Sequence, residues 1–145
     1  MRAVIQRVSQ GQVRVDNKVL ASIGMGLVIL LGIENEDTRE KADQLSRKIA
    51  ALRIFSDPEG KMNLSVRDIQ SGAIVVSQFT LMADTQKGNR PSFFKAAPPE
   101  IASPLVDYFI AAVEKEGVPT QSGEFAAHML VEIHNDGPVT ILFEA

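Results

Sequence analysis

Eight consecutive residues, Gly26-Leu27-Val28-Ile29-Leu30-Leu31-Gly32-Ile33, carry no polar side chain and are punctuated by glycines. The run is too short for a typical helix and has no polar stripe, so it predicts a central strand covered on both faces. The unbroken apolar stretch Leu27 to Leu31 is far short of the roughly 20 residues a membrane-spanning helix needs. No transmembrane helix is expected. Met1-Arg2 runs directly into the strand-like Ala3-Val4-Ile5 without the apolar core of a secretory signal, which points to a cytosolic protein.

Other elements follow from periodicity. Ala3 to Val8 predicts a strand, Ser9-Gln10-Gly11 a turn, and Gln12 to Val15 a second strand with side chains alternating at period two. Asp16-Asn17-Lys18 predicts another turn before a strand over Val19 to Ile23. Asp37 is a candidate N-cap with Glu40 three residues on, and Ala42, Leu45, Ile49 and Leu52 form one apolar helix face that must pack on a sheet. Ser56-Asp57-Pro58-Glu59-Gly60 has turn chemistry, and the uncharged Gly72 to Ser77 predicts another buried strand. A second helix is expected from about Ser103-Pro104 to Glu116, stopped by Gly117. Two closing strands, His128 to His134 and Val139 to Glu144, flank Asn135-Asp136-Gly137-Pro138. The chain shows neither repeats nor linker-like composition shifts, so residues 1–145 are expected to form one α/β domain: a mixed, curled or barrel-like β-sheet with two main helices packed outside.

Composition narrows the chemistry. With no cysteine, the chain has no disulfide, thiolate nucleophile or thiolate metal ligand. The only histidines, His128 and His134, lie six apart without a His-Glu-x-x-His spacing, so no protein-bound metal or cofactor is expected. The net charge is −3, too acidic for a protein that grips long stretches of duplex DNA. Residues 85–99 nonetheless hold Lys87, Arg90 and Lys95 with no acid, a local charge of +3 against −6 for the rest. That segment is either a solvated loop or a local anion site.

Three places can carry chemistry. Ser77-Gln78-Phe79-Thr80 follows a buried strand, where backbone N–H groups lose their ladder partners and two consecutive amides can face an oxyanion. The plain alternative is a strand end whose Thr80 bonds the backbone; as a nucleophile, Thr80 lacks an adjacent base. Asp136-Gly137 between two strands is a hairpin signal, yet Pro138 cannot donate to a ladder where the next strand would begin. His128 and His134 have the pKa for general base work but no visible partner, and no carboxylate pair or Ser-His-Asp order stands out. An enzyme built this way relies on main-chain groups or on its substrate.

Taken together, Ser77-Gln78-Phe79-Thr80-Leu81 with Ala83-Asp84, Lys87-Gly88 with Arg90-Pro91-Ser92-Phe93, and Asn135-Asp136-Gly137-Pro138-Val139-Thr140 resemble the signature of the D-aminoacyl-tRNA deacylases. The resemblance spans the chain, including Ala3 to Val8, Leu52-Arg53-Ile54-Phe55 and Gly60-Lys61-Met62-Asn63. It implies a cytoplasmic homodimer whose partner is the 3′ end of aminoacylated tRNA, and which hydrolyses the ester of a D-amino acid or glycine while sparing L-aminoacyl-tRNA. On this likeness the Gly137-Pro138 bond is cis and enters the neighbouring subunit's pocket to bind the substrate ammonium, with Arg7 holding the loop. Ser77 contributes to substrate binding, Gln78, Phe79 and Thr80 surround the scissile carbonyl, and Phe125 and Met129 wall the terminal adenosine. The tRNA 2′-hydroxyl helps activate water. Two rivals stand beside it: an esterase using Thr80 or Ser77 with His128 as base, and a non-catalytic RNA-binding domain.

Overall fold

The computed structural model describes residues 1–145 as eight strands, two α-helices and a 3-10 turn: β1 (Arg2–Val15), β2 (Lys18–Ile23), β3 (Gly26–Gly32), α1 (Arg39–Ala50), β4 (Phe55–Ser56), β5 (Met62–Leu64), β6 (Gly72–Ser77), the 3-10 turn (Phe79–Met82), α2 (Pro99–Lys115), β7 (Thr120–Ser122) and β8 (Leu130–Glu144). One mixed sheet runs β2-β1-β3-β6-β7, with β8 pairing the other edge of β1, and β4 and β5 form a separate hairpin. β3 is central as expected, antiparallel to β1 and parallel to β6. A Cβ on Gly26 would lie 2.3 Å from the Gly72 carbonyl oxygen, so β3 and β6 approach as closely as they do only because that residue is glycine.

The sheet curls almost into a barrel. On the far side Gln121 of β7 closes the gap with its side chain: its Oε1 accepts from Ser22 N and its Nε2 donates to Ser22 O, both at 2.9 Å. Outside the curl, Leu27, Ile29 and Leu31 of β3 and Ala73 and Val75 of β6 join Leu45 and Ile49 of α1 and Phe109 and Val113 of α2 in one core. Inside it, Val13, Ala21, Ile74 and Val76 form a smaller cluster. β3 is thus buried on both faces, as its composition requires.

Four local expectations are corrected. Ser9-Gln10-Gly11 is not a turn; β1 runs unbroken through it, and a register shift opposite β8 absorbs Ser9 as an extra residue. Helix α1 is capped by Thr38, whose hydroxyl accepts from Lys41 N, because Asp37 is engaged by the Met1 amine and by Glu34 N. Helix α2 starts four residues earlier than Ser103, with Pro99 in the first-turn position that suits proline, and Pro104 lies inside it. Its end is as expected: Gly117 at φ 89° and the bond from Val118 N to Val113 O close the helix. Finally, the strands around Asn135-Asp136-Gly137-Pro138 are not a hairpin. Both halves of β8 pair with β1, and residues 136–139 bulge out opposite the single residue Arg7.

Candidate active site

A cavity of about 520 Å³ opens at the carboxyl ends of the parallel strands β3 and β6, where a sheet offers free main-chain groups to a ligand. Leu31, Val76 and Ser77 form its floor, and Ala102 and Val106 of α2 close one side. The connection into β8 supplies Phe125, His128 and Met129. Gly123 makes room for that wall, since a Cβ there would sit 2.5 Å from the Met129 sulfur. The lining is largely apolar, so polar groups that reach it are few and their direction matters.

The chain leaves β6 at Ser77, Gln78 N donates to Leu31 O at 2.8 Å, and the backbone then turns into the 3-10 segment. Within it Leu81 N donates to Gln78 O at 3.2 Å and Ala83 N to Thr80 O at 3.1 Å. Phe79 and Thr80 open the turn, where N–H groups have no acceptor in the preceding chain. Phe79 lines the cavity, is 58% exposed, and rests edge-on against Phe93 with ring centres 5.0 Å apart. The Thr80 hydroxyl does not line the cavity; it accepts from Gln78 Nε2. His128 lines the cavity but shares no hydrogen bond with Thr80 or Ser77, so the geometry of a hydroxyl nucleophile with its base is not assembled.

The structure therefore gathers Ser77, Gln78, Phe79, Phe125 and Met129 at one cavity and places Arg7, Gly137 and Pro138 elsewhere. The Gly137-Pro138 bond is cis, and Asp136, Gly137 and Pro138 are exposed. Arg7, only 13% exposed at its side chain, braces the loop: Nε donates to Asp136 O at 3.1 Å and faces the Asp136 carboxylate at 3.3 Å, while Nη1 donates to Ile54 O at 2.7 Å. Asn135 adds a second brace, donating to Arg7 O and Val139 O. Sequence reasoning missed Ile54, Asn135 and Asp136 in these roles; only Asn135 carried a signal, as a residue that bonds its own backbone in turns.

The Ile54 anchor is itself held. Arg53 beside it donates to Asn63 O and Asn63 Oδ1, both at 2.8 Å, and Asp57 accepts from Asn63 Nδ2 at 2.9 Å. The Asn63 side chain first, then the Lys61 amide, holds the Asp57 carboxyl below its ordinary pKa. No group of three His, Asp or Glu side chains is arranged to hold a metal ion, and no helix is long and apolar enough to cross a membrane.

A mixed barrel-like sheet with a largely apolar cavity at its parallel strand ends is the frame of a small α/β domain built to receive a ligand. Comparison with known proteins gives the particular group: the family model described as D-Tyr-tRNA(Tyr) deacylase matches residues 4–144. A protein of Chloroflexus aurantiacus named D-aminoacyl-tRNA deacylase is 56% identical over all of this chain and 91% of its own length. One of the same name from Haemophilus influenzae is 55% identical, covering 97% of this chain and 96% of its own. Among solved structures, one called c-Myc DNA Unwinding Element Binding Protein superimposes with a TM-score of 0.93 at 42% identity, over 100% of this chain and 99% of that one. A probable eukaryotic D-amino acid tRNA deacylase shares the fold at a TM-score of 0.83 and 20% identity, over 98% and 97% of the two chains. The chain belongs to the D-Tyr-tRNA(Tyr) deacylase family, a family of hydrolases acting on ester bonds.

Proposed function

We propose that residues 1–145 form one deacylase domain that hydrolyses the ester of D-aminoacyl-tRNA in the cytoplasm, releasing the D-amino acid and tRNA. The observation that carries this reading is the cavity that brings Ser77, Gln78 and Phe79 against Phe125 and Met129, a set that suits an aminoacyl group on a terminal adenosine. Phe125 and Met129 wall the adenosine, Ser77 contacts the aminoacyl group, and the amides at Phe79 and Thr80 receive the carbonyl oxygen as water attacks. The proton leaving that water is taken up with help from the neighbouring ribose 2′-hydroxyl, and the 3′-oxygen leaves with a proton.

The cavity lining holds no carboxylate for the substrate's α-ammonium. We assign that role to the Gly137-Pro138 carbonyls of a second copy, in a homodimer whose interface includes the free edge of β8, where Leu130 and Leu142 are 62% and 58% exposed. A braced main-chain clamp grips the ammonium and leaves no room for an L side chain, while a D side chain of any kind points away. Glycine, without a side chain, is not rejected and is hydrolysed too. Duplex DNA binding, suggested by the name of one structural relative, fits poorly with a net charge of −3.

Substrate assistance separates this reading from a threonine nucleophile. Thr80→Ala is expected to keep turnover of D-tyrosyl-tRNA within about tenfold of the parent, whereas a tRNA ending in 2′-deoxyadenosine loses about 100-fold or more, the scale of a lost acid-base group. Loss of activity in Thr80→Ala with full activity on the deoxy substrate contradicts it. No D-selective cleavage by the parent protein favours an RNA-binding role instead.

A further inference from the structure

Beside the cavity, the segment from Asp84 to Ala97 combines features the ester chemistry leaves unused. Its cations Lys87, Arg90 and Lys95 take part in no ion pair, while Arg2 nearby is committed to Leu81 O at 2.6 Å and to Glu144. Phe94 is 65% exposed, the most exposed of the large apolar side chains, with the Lys95 ammonium 5.8 Å from its ring centre. The loop that carries Lys87 and Arg90 is closed at its base, where Asp84 and Ser92 exchange hydrogen bonds at 2.8 and 2.9 Å, and Asn35 holds Phe94 O and Lys95 O at 3.2 Å each. Ala96 and Ala97 then line the cavity, and Phe93 packs on Phe79 at its edge. The ledge is therefore continuous with the site.

Building on the proposed function, we infer that this ledge docks the single-stranded RNA immediately 5′ of the esterified nucleotide, with one base stacked on Phe94 and backbone phosphates against Lys87, Arg90 and Lys95. Charge selects an anion, because residues 85–97 carry +3 in a chain of net −3. The exposed ring selects a stacked base over a simple phosphate, and aromatic rings with interleaved cations are how single strands are held without sequence preference. A small polar cleft of about 290 Å³ beside Lys95 also bears the carboxylates of Glu34 and Asp84, which keep phosphates off its floor and on the basic rim. Affinity for the tRNA end thereby comes from a surface separate from the one that senses handedness.

The test compares D-tyrosyl-tRNA with D-tyrosyl ester of adenosine alone, which reaches the cavity but not the ledge. Phe94→Ala is expected to raise KM for the tRNA about tenfold, the scale of one lost base stack, with kcat unchanged and the adenosine ester hydrolysed as by the parent. The Lys87→Gln, Arg90→Gln double variant is expected to flatten the slope of log KM against log salt for the tRNA by about 1.4, two single-strand phosphate contacts. Unchanged tRNA kinetics in both variants overturns the ledge, as do equal losses on both substrates, which mean the segment only supports the cavity. If the parent protein hydrolyses neither ester, the proposed function itself is wrong and the ledge falls with it.

Discussion

Gly137→Ala is expected to lower kcat/KM for D-tyrosyl-tRNA by about 100-fold, the scale of a reactive group displaced by about 1 Å. Gly137 sits at φ 121°, a region side chains avoid, and a Cβ there would lie 2.8 Å from Arg7 Nη2 and 3.0 Å from Val139 Cγ2. Arg7 has little freedom to yield, because Asp136 O and Ile54 O already fix its guanidinium. The loop must move, and with it the carbonyls assigned to the substrate ammonium. Since residues 136–138 are exposed, the strain of about 1–3 kcal/mol lowers the melting temperature by several degrees without unfolding the protein. The residual activity is expected to show less preference for D over L. Parent-like activity and selectivity in a Gly137→Ala protein contradict the assignment.

Phe79→Pro is expected to cost about 10² to 10³ in kcat with KM little changed, the loss seen when one oxyanion donor is removed. Proline is tolerated at the opening of a helical turn, and Gln78 at φ −143° and ψ 77° lies outside the helical region that a following proline disfavours. The substitution therefore deletes one N–H with little cost to the turn. Phe79→Leu keeps the N–H and loses only the ring that leans on Phe93, so it is expected to stay within about tenfold of the parent. Single-turnover rates of the two variants give the comparison. Equal rates would remove the main chain from the chemistry.

The fold was legible where a local signal and the long-range pairing agree. β3 shows its place because a segment apolar on both faces has no other stable position. Ser9-Gln10-Gly11 misleads because Gly11 is not a turn residue: a Cβ there would lie 2.8 Å from Val28 Cγ2, so the glycine serves close packing inside the curl. Asp136-Gly137 misleads for a different reason. Its hairpin tendency is overridden by β1, which is long enough to pair with both halves of β8 and leave the four residues between them outside the ladder. At the site, Ser77 to Phe79 could be found from the end of a buried strand. Ile54 could not, since it holds Arg7 through a main-chain oxygen that any residue type supplies, and the Asp136 ion pair with Arg7 spans 129 residues with no local signal. Asp37 misleads as a cap because its carboxylate is taken by Glu34 N and by the Met1 amine, which lies 36 residues away.

Handedness sensed by a clamp from the other subunit is tested most directly by mixing two strongly impaired proteins. One is Gly137→Ala, with a sound cavity and a displaced loop; the other is Ala127→Trp, whose indole fills the cavity while its own loop stays intact. If each loop serves the neighbouring cavity, subunit exchange at equal amounts restores D-tyrosyl-tRNA hydrolysis to about a quarter of the parent level, because half the dimers are mixed and each holds one complete site. If each loop serves its own cavity, no mixture contains a complete site, and activity staying at the level of the separate variants after verified exchange contradicts the account.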